Sequence, residues 1–183
     1  MDYFIDITVL PDPEFKATVL INALYAKCHR ALGQLGKGDV GVSFPEHHEN
    51  LGKVLRLHST QNRLEQLMHK NWIKGLNDYT TTTAISPVPT IIHYRTVSRV
   101  QTKSAHSKRK RPVSKGWLSE AQANAKFPDS DKHKLTLPYA QLTSLSNQSI
   151  YRVYIKHGEL QQHATKGLFN SYGLSQQATI PWF

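Results

Sequence analysis

Cysteine is nearly absent. Cys28 is the single one among 183 residues, which excludes an internal disulfide and any zinc site built as a cysteine cage. A lone thiol suits a reducing compartment and makes a poor case for a nucleophile. No apolar run approaches the roughly 20 residues that cross a bilayer. The start, MDYFIDITVL, also lacks the basic stretch that precedes a secretory apolar segment. The chain therefore reads as cytoplasmic, with no membrane partner. No G-x-x-x-x-G-K-[ST] loop occurs, so nucleotide hydrolysis has no support. There is no internal repeat. The absence that says most is of acidic residues between Tyr79 and Ser119, a stretch holding Arg95, Arg99, Lys103, Lys108, Arg109, Lys110, Arg111 and Lys115.

Residues 1–78 hold nine Lys/Arg against nine Asp/Glu and residues 120–183 hold six against four, so the middle supplies eight of the net ten charges. A basic stripe on an otherwise near-neutral chain is the footprint of a polyanion binder, because each neutralised phosphate releases condensed counterions. The plainer reading of a charge block is a solvated tail, but Val97, Val100 and Trp117 punctuate this one. An anionic membrane surface fits less well than nucleic acid, since the block lacks the Trp/Phe/Leu face of an interfacial helix. With 39% hydrophobic and 20% charged residues, the chain is an ordinary globular protein. Its length admits two small domains, and Pro87 and Pro89 suggest a division into 1–88 and 89–183.

Periodicity orders the elements. Tyr3, Ile5, Ile7 and Val9 alternate with Phe4, Asp6 and Thr8 as in a half-buried strand. From about Pro13 to Gly36, Leu20, Leu24, Cys28, Ala31 and Leu35 form one helical stripe. Short strands at Gly41 to Phe44 and Val54 to His58 follow, then a helix capped by Ser59 or Thr60, then a Thr-rich strand at Tyr79 to Ile85. The order β-α-β-β-α-β is that of a ferredoxin-like (RRM-like) domain in an α+β protein. The stretch VLRLH at 54 to 58 lacks the stacking aromatics of an open-sheet RNA platform. A strand over Ile91 to Gln101, a short helix at about Ser119 to Lys126 and a strand at Tyr151 to His157 make up the second half. His47-His48 between Glu46 and Glu49 lacks the spacing of a helical metal pair and reads as a solvated loop.

Six stretches, in order and spread over nearly the whole chain, are MDYFIDITVLPDPEF, GVSFP at 41–45, SRVQTKS at 98–104, YIKHG at 154–158, YGLS at 172–175 and the terminal PWF. Together they resemble the CRISPR repeat-processing endoribonucleases of the type I-F system, the Csy-type CRISPR RNA endonucleases. The resemblance implies a ferredoxin-like N-terminal domain joined to a divergent, partly ferredoxin-like C-terminal domain carrying the basic segment. It implies that the protein binds the hairpin of the repeat RNA and cuts at the 3′ side of its base. It implies further that the protein stays on the mature crRNA as one subunit of a type I-F surveillance (Cascade) complex. No cofactor and no metal are expected, because a 2′-hydroxyl can attack its neighbouring phosphorus once a base removes its proton, leaving a 2′,3′-cyclic phosphate and a 5′-hydroxyl. The rival from another class is a non-catalytic subunit that holds the hairpin without cutting it.

Histidine is the natural base, with an ordinary pKa of about 6.5. His29 lies one residue past Cys28, on the shoulder of the helical stripe shared with Tyr25 and Leu32. That position alone favours an ordinary surface histidine, but it matches the family's catalytic histidine. The resemblance likewise carries over Ser144 as the serine that fixes the attacking nucleotide, with Ser146 as the alternative on a shift of two. It carries over Tyr172 as the tyrosine that orients the histidine. Arg99 and Gln101, two apart in an expected strand, match the base-reading pair, whose chemistry is a fork onto guanine and a paired contact to adenine. Because the major groove of A-form RNA is closed to side chains along its length, they can read only near a helix end. Tyr151 stands where the family stacks an aromatic on the terminal base pair. Lys103, Lys108, Arg109, Lys110, Arg111 and Lys115 are assigned to phosphate. The helix expected there runs into Pro112 and is either short or restarted at that residue.

Overall fold

The computed structural model describes residues 1–90, 93–101, 105–128 and 135–183. Ile91, at the head of an expected strand, and Lys103 lie outside them. Two compact units result: residues 1–99 with 137–183, and residues 100–136. The described residues form an α+β structure with two antiparallel sheets and four α-helices.

The first sheet contains β1 (Tyr3–Val9), β2 (Gly41–Ser43), β3 (Val54–Ser59), β4 (Thr80–Thr82) and β5 (Ser86–Pro87). Its order is β2-β3-β1-β4, with β5 also on β1. Helix α1 (Ala17–Leu35) joins β1 to β2, and α2 (Gln61–Met68) joins β3 to β4, consistent with the expected β-α-β-β-α-β order. Alternation in β1 turns Ile5, Ile7 and Val9 into the core, where Leu20, Leu24, Cys28 and Ala31 of α1 meet them. Four local expectations shift. Helix α1 starts later than Pro13 because Asp12 Oδ1 accepts from Glu14 N at 2.9 Å and Phe15 N at 2.8 Å, closing a turn first. The Thr-rich closing strand shortens to β4, with β5 lying past Ile85, since Thr83 Oγ1 takes the Asp6 amide at 3.0 Å in place of a ladder carbonyl. Thr60 occupies the N-cap of α2, but its hydroxyl makes no capping bond, and Ser59 Oγ donates to Asp39 O at 2.7 Å. The EHHEN segment is not wholly solvated: the His47 ring stacks on His157 at 3.6 Å and meets Trp182 edge-on.

The second sheet has the order β7-β8-β6-β9, from β6 (His93–Val100), β7 (Tyr139–Thr143), β8 (Ile150–His157) and β9 (Thr179–Trp182). Strand β9 is an edge strand, which is where Pro181 can sit without costing a ladder bond. It carries the chain end back to the first sheet. There Arg56 makes a two-pronged ion pair with Asp6 at 2.7 and 2.8 Å and lies between the rings of Phe4 and Phe183. Apart from Val100 at the end of β6, this sheet belongs to the first compact unit.

His58, fully buried on β3, bonds Ser43 Oγ at 2.9 Å. Burial, then Arg56, pushes its pKa down to about 3. Between about 6.5 and 3 the unfolded chain therefore binds a proton that the folded chain refuses, so folding stability is full above pH 6.5 and falls as pH falls. From pH 6.5 to 5 the loss at this one group is about 2 kcal/mol. Urea midpoints at the two pH values check this, and His58→Gln should flatten the dependence.

Candidate active site

Helix α1 packs Leu24, Cys28 and Ala31 inward and leaves His29 about 100° further round the axis, half-buried at the margin of the core. Its Nδ1 lies 2.9 Å from the carbonyl oxygen of Ser171. A carbonyl can only accept, so Nδ1 carries the proton and, in the neutral ring, Nε2 keeps the lone pair. The imidazole lies flat on the Tyr172 ring, with centroids 3.8 Å apart and planes 1° apart.

The loop that supplies both contacts is tightly wound. Asn170 Oδ1 accepts from Tyr172 N at 2.9 Å and Leu174 N at 3.2 Å, and Gly173 O accepts from Val42 N of β2 at 2.8 Å. Gly173 has φ 70°, and a Cβ there would sit 2.2 Å from Val42 Cγ2. Gly173→Ala is expected to cost at least about 1–3 kcal/mol from the left-handed backbone alone, read as a lower denaturant midpoint together with slower turnover. An unchanged midpoint would contradict this account of the loop.

Across from His29 a cleft of about 320 Å³ opens, lined by Ala26, His29 and Arg30 of α1, by Leu142 to Ser146, and by Tyr151. Ser144 and Ser146 both line it, in the turn between β7 and β8, with their hydroxyl oxygens 3.0 Å apart. The expectation of a polar turn and that of a serine near the histidine thus describe one place. Tyr151, on β8, lines the same cleft and brings its hydroxyl to 3.1 Å from that of Tyr172. Burial and this hydrogen bond raise the Tyr151 pKa above the ordinary phenol value. His29, Ser144, Tyr151 and Tyr172 are therefore brought together from elements far apart in the chain.

Arg99 is half-buried on β6, its guanidinium carbon 5.1 Å from the centre of the Tyr172 ring. Its Nε is buried without a hydrogen-bond partner among the described residues. Gln101 departs from expectation. Strand β6 ends at Val100, where the Arg99 carbonyl accepts from the side chain of Gln176 at 2.8 Å. Gln101 is thus beyond the strand and exposed, and alternation no longer sets it on the face of Arg99.

In the unit of residues 100–136, α3 (Ala105–Ser114) runs unbroken through Pro112, neither stopping short nor restarting. Proline within a final turn removes one bond, the one to the Lys108 carbonyl. The turn is closed by Lys115 N to Arg111 O and by Trp117 N to Pro112 O. Lys110, Arg111 and Lys115 are exposed, while Lys108 and Arg109 are half-buried, with an Arg109 amino group 2.5 Å from Asn124 Oδ1 on α4 (Glu120–Lys126).

Cys28 is fully buried and its thiol is pushed up by burial, which removes it as a nucleophile. Sequence reasoning missed Tyr25, whose hydroxyl donates to the Tyr172 carbonyl at 2.9 Å. Its place one helical turn before His29 was the available signal. It also missed the Ser171 carbonyl, a backbone group for which side-chain patterns offer no signal.

The model of the CRISPR-associated protein (Cas_Csy4) family matches residues 4–183. The CRISPR-associated endonuclease Cas6/Csy4 of Escherichia coli (strain UTI89 / UPEC) is 46% identical over 184 residues, covering the whole of both chains. The protein of the same name from Pseudomonas aeruginosa (strain UCBPP-PA14) is 40% identical over 187 residues, again with both chains covered completely. With the family model matched almost from end to end and two full-length relatives above 30% identity, the chain belongs to the Cas_Csy4 family of CRISPR-associated proteins.

Proposed function

We propose that this chain is a metal-independent endoribonuclease that binds the stem-loop of CRISPR repeat RNA and cuts at the 3′ side of its base. Family membership and the endonuclease name of both relatives support the activity. The observation that carries the mechanism is the Nδ1–H bond of His29 to Ser171, which reserves Nε2 for proton transfer.

In this mechanism His29 Nε2 takes the proton of the 2′-hydroxyl next to the scissile bond. The 2′-oxygen attacks the adjacent phosphorus, and the bond to the 5′-oxygen breaks. The imidazolium so formed can return its proton to that departing oxygen, giving a 2′,3′-cyclic phosphate and a 5′-hydroxyl. Ser144, or Ser146 beside it, fixes the attacking nucleotide. Tyr172 keeps the imidazole plane in line.

Recognition divides between base and backbone. Arg99 forks onto a guanine at the open end of the stem and Gln101 contacts an adjacent adenine, while Tyr151 stacks on the terminal pair. Lys103, Lys108, Arg109, Lys110, Arg111 and Lys115 hold phosphate. On this reading residues 1–88 are a ferredoxin-like domain carrying the catalytic helix, residues 89–183 bind the hairpin, and the protein remains on its product as a subunit of a cytoplasmic type I-F surveillance complex.

Incubation with a matched repeat hairpin in EDTA tests the proposal. Cleavage at the base of the stem, with a cyclic phosphate end, is expected. Intact RNA on a protein that still binds it would leave the rival, a subunit that grips and does not cut.

A further inference from the structure

The two constraints on the His29 ring come from neighbouring residues: Ser171 supplies the carbonyl that holds the Nδ1 proton, and Tyr172 supplies the ring that sets the plane. Whatever holds residues 171 and 172 therefore holds both the tautomer and the direction of the imidazole. Two phenols do this from opposite ends of Tyr172. Tyr25, wholly buried one turn ahead of His29 on the same helix, donates its hydroxyl to the Tyr172 carbonyl at 2.9 Å. It packs edge-on against Phe44 at 5.2 Å, and burial raises its pKa well above the ordinary phenol value. Tyr151 reaches the far end, its hydroxyl 3.1 Å from that of Tyr172.

Without such a brace an imidazole is free in two respects. Its side chain rotates between staggered positions, and the neutral ring exchanges between tautomers that differ little in energy. A base must lie within hydrogen-bond reach of the proton it removes, and a misplacement of about 1 Å can cost about 10²-fold in rate.

We propose that Tyr25 and Tyr151 are positioning residues whose hydroxyls clamp Tyr172 at its backbone and its phenol, and so fix both the plane and the tautomer of His29. The proposal rests on the reading of His29 as the base. Tyr151 has a second consequence. The ring that faces the cleft and the hydroxyl that braces Tyr172 belong to one side chain, so a base pair stacked on Tyr151 also steadies the histidine.

The test uses Tyr25→Phe, Tyr151→Phe and the double variant, each of which keeps the ring and removes only the oxygen. Single-turnover cleavage at saturating protein, hairpin affinity, and ¹⁵N NMR of the histidine side chains are measured, with the His29 signals identified by their loss in His29→Gln. Each single variant is expected to slow cleavage by about two- to tenfold, the equivalent of one hydrogen bond, with affinity unchanged. The His29 signals should move from one protonated and one bare nitrogen towards two averaged ones. A purely structural role would lower melting temperature and leave the nitrogen pattern alone. Wild-type rates in all variants, or slowed cleavage with an unmoved pattern, would overturn the proposal. If His29→Gln itself cuts as wild type does, the assignment of the base is what fails, and the nitrogen signals still decide whether the two hydroxyls hold the ring. Should Tyr25→Phe fail to fold, Tyr151→Phe carries the test, because Tyr151 lies at the surface of the cleft.

Discussion

Replacement of His29 by alanine is expected to slow strand cleavage by about 10²–10⁴-fold, the range set by general acid–base catalysis, while hairpin affinity stays within a few-fold of wild type. The asymmetry follows from where the side chain acts. On the proposed mechanism Nε2 serves only in proton transfer, and a group that works in the transition state changes the chemical step and leaves binding alone. The stability of the fold should also be little changed, since the ring is half-buried at the margin of the core and its hydrogen bond among the described residues goes to a loop carbonyl. Single-turnover kinetics beside equilibrium titration separate the two quantities. A large loss of affinity with normal cleavage at saturation would make His29 a binding residue.

The second large effect is electrostatic. Changing Lys108, Arg109, Lys110, Arg111 and Lys115 together to glutamine is expected to weaken hairpin binding on the order of 10³-fold near physiological salt. The slope of log affinity against log salt should fall in magnitude by about 3.5–4.5, at roughly 0.7–0.9 per phosphate contact. Cleavage of RNA that is still driven onto the protein should continue at close to the wild-type rate, because phosphate contacts position the RNA while the proposed proton transfer falls to His29. The same binding loss on every stem sequence would mark these residues as backbone contacts, whereas an Arg99 variant should lose about 1–3 kcal/mol of discrimination at one base pair only. An unchanged salt slope would refute the phosphate role.

How much of this was legible in the sequence depended on range. Strand β1 and helix α1 were plain, because periods of 2.0 and 3.6 are local and Ile5, Ile7, Leu24 and Cys28 sit where those periods place them. Strand β7 was legible and passed over: Ala140 and Leu142 are buried between exposed Tyr139, Gln141 and Thr143, a five-residue alternation inside a polar stretch. The early end of β4 and the late start of α1 were not legible. Each turns on a single side chain, Thr83 or Asp12, capturing a backbone amide. Pro112 misled in the other direction, since a breaker near the end of a helix removes little.

In the site, spacing alone left His29 an ordinary surface histidine, because its hydrogen-bond partner lies 142 positions away and is a main-chain oxygen. The resemblance to a family named His29, Ser144 and Tyr172 together, and the fold brings all three to one neighbourhood. The Ser144/Ser146 choice stayed open for a physical reason: the two hydroxyls are hydrogen-bonded neighbours on one turn.

The account stands on strand scission by the RNA's own 2′-hydroxyl under the hand of His29. A matched repeat hairpin carrying a single 2′-deoxy substitution at the nucleotide before the cut tests it most directly. It should bind as tightly as the unmodified hairpin and remain intact through times in which the latter is fully cleaved. Cleavage of the deoxy hairpin at the same position would contradict the account, since the attacking oxygen would then have to come from elsewhere.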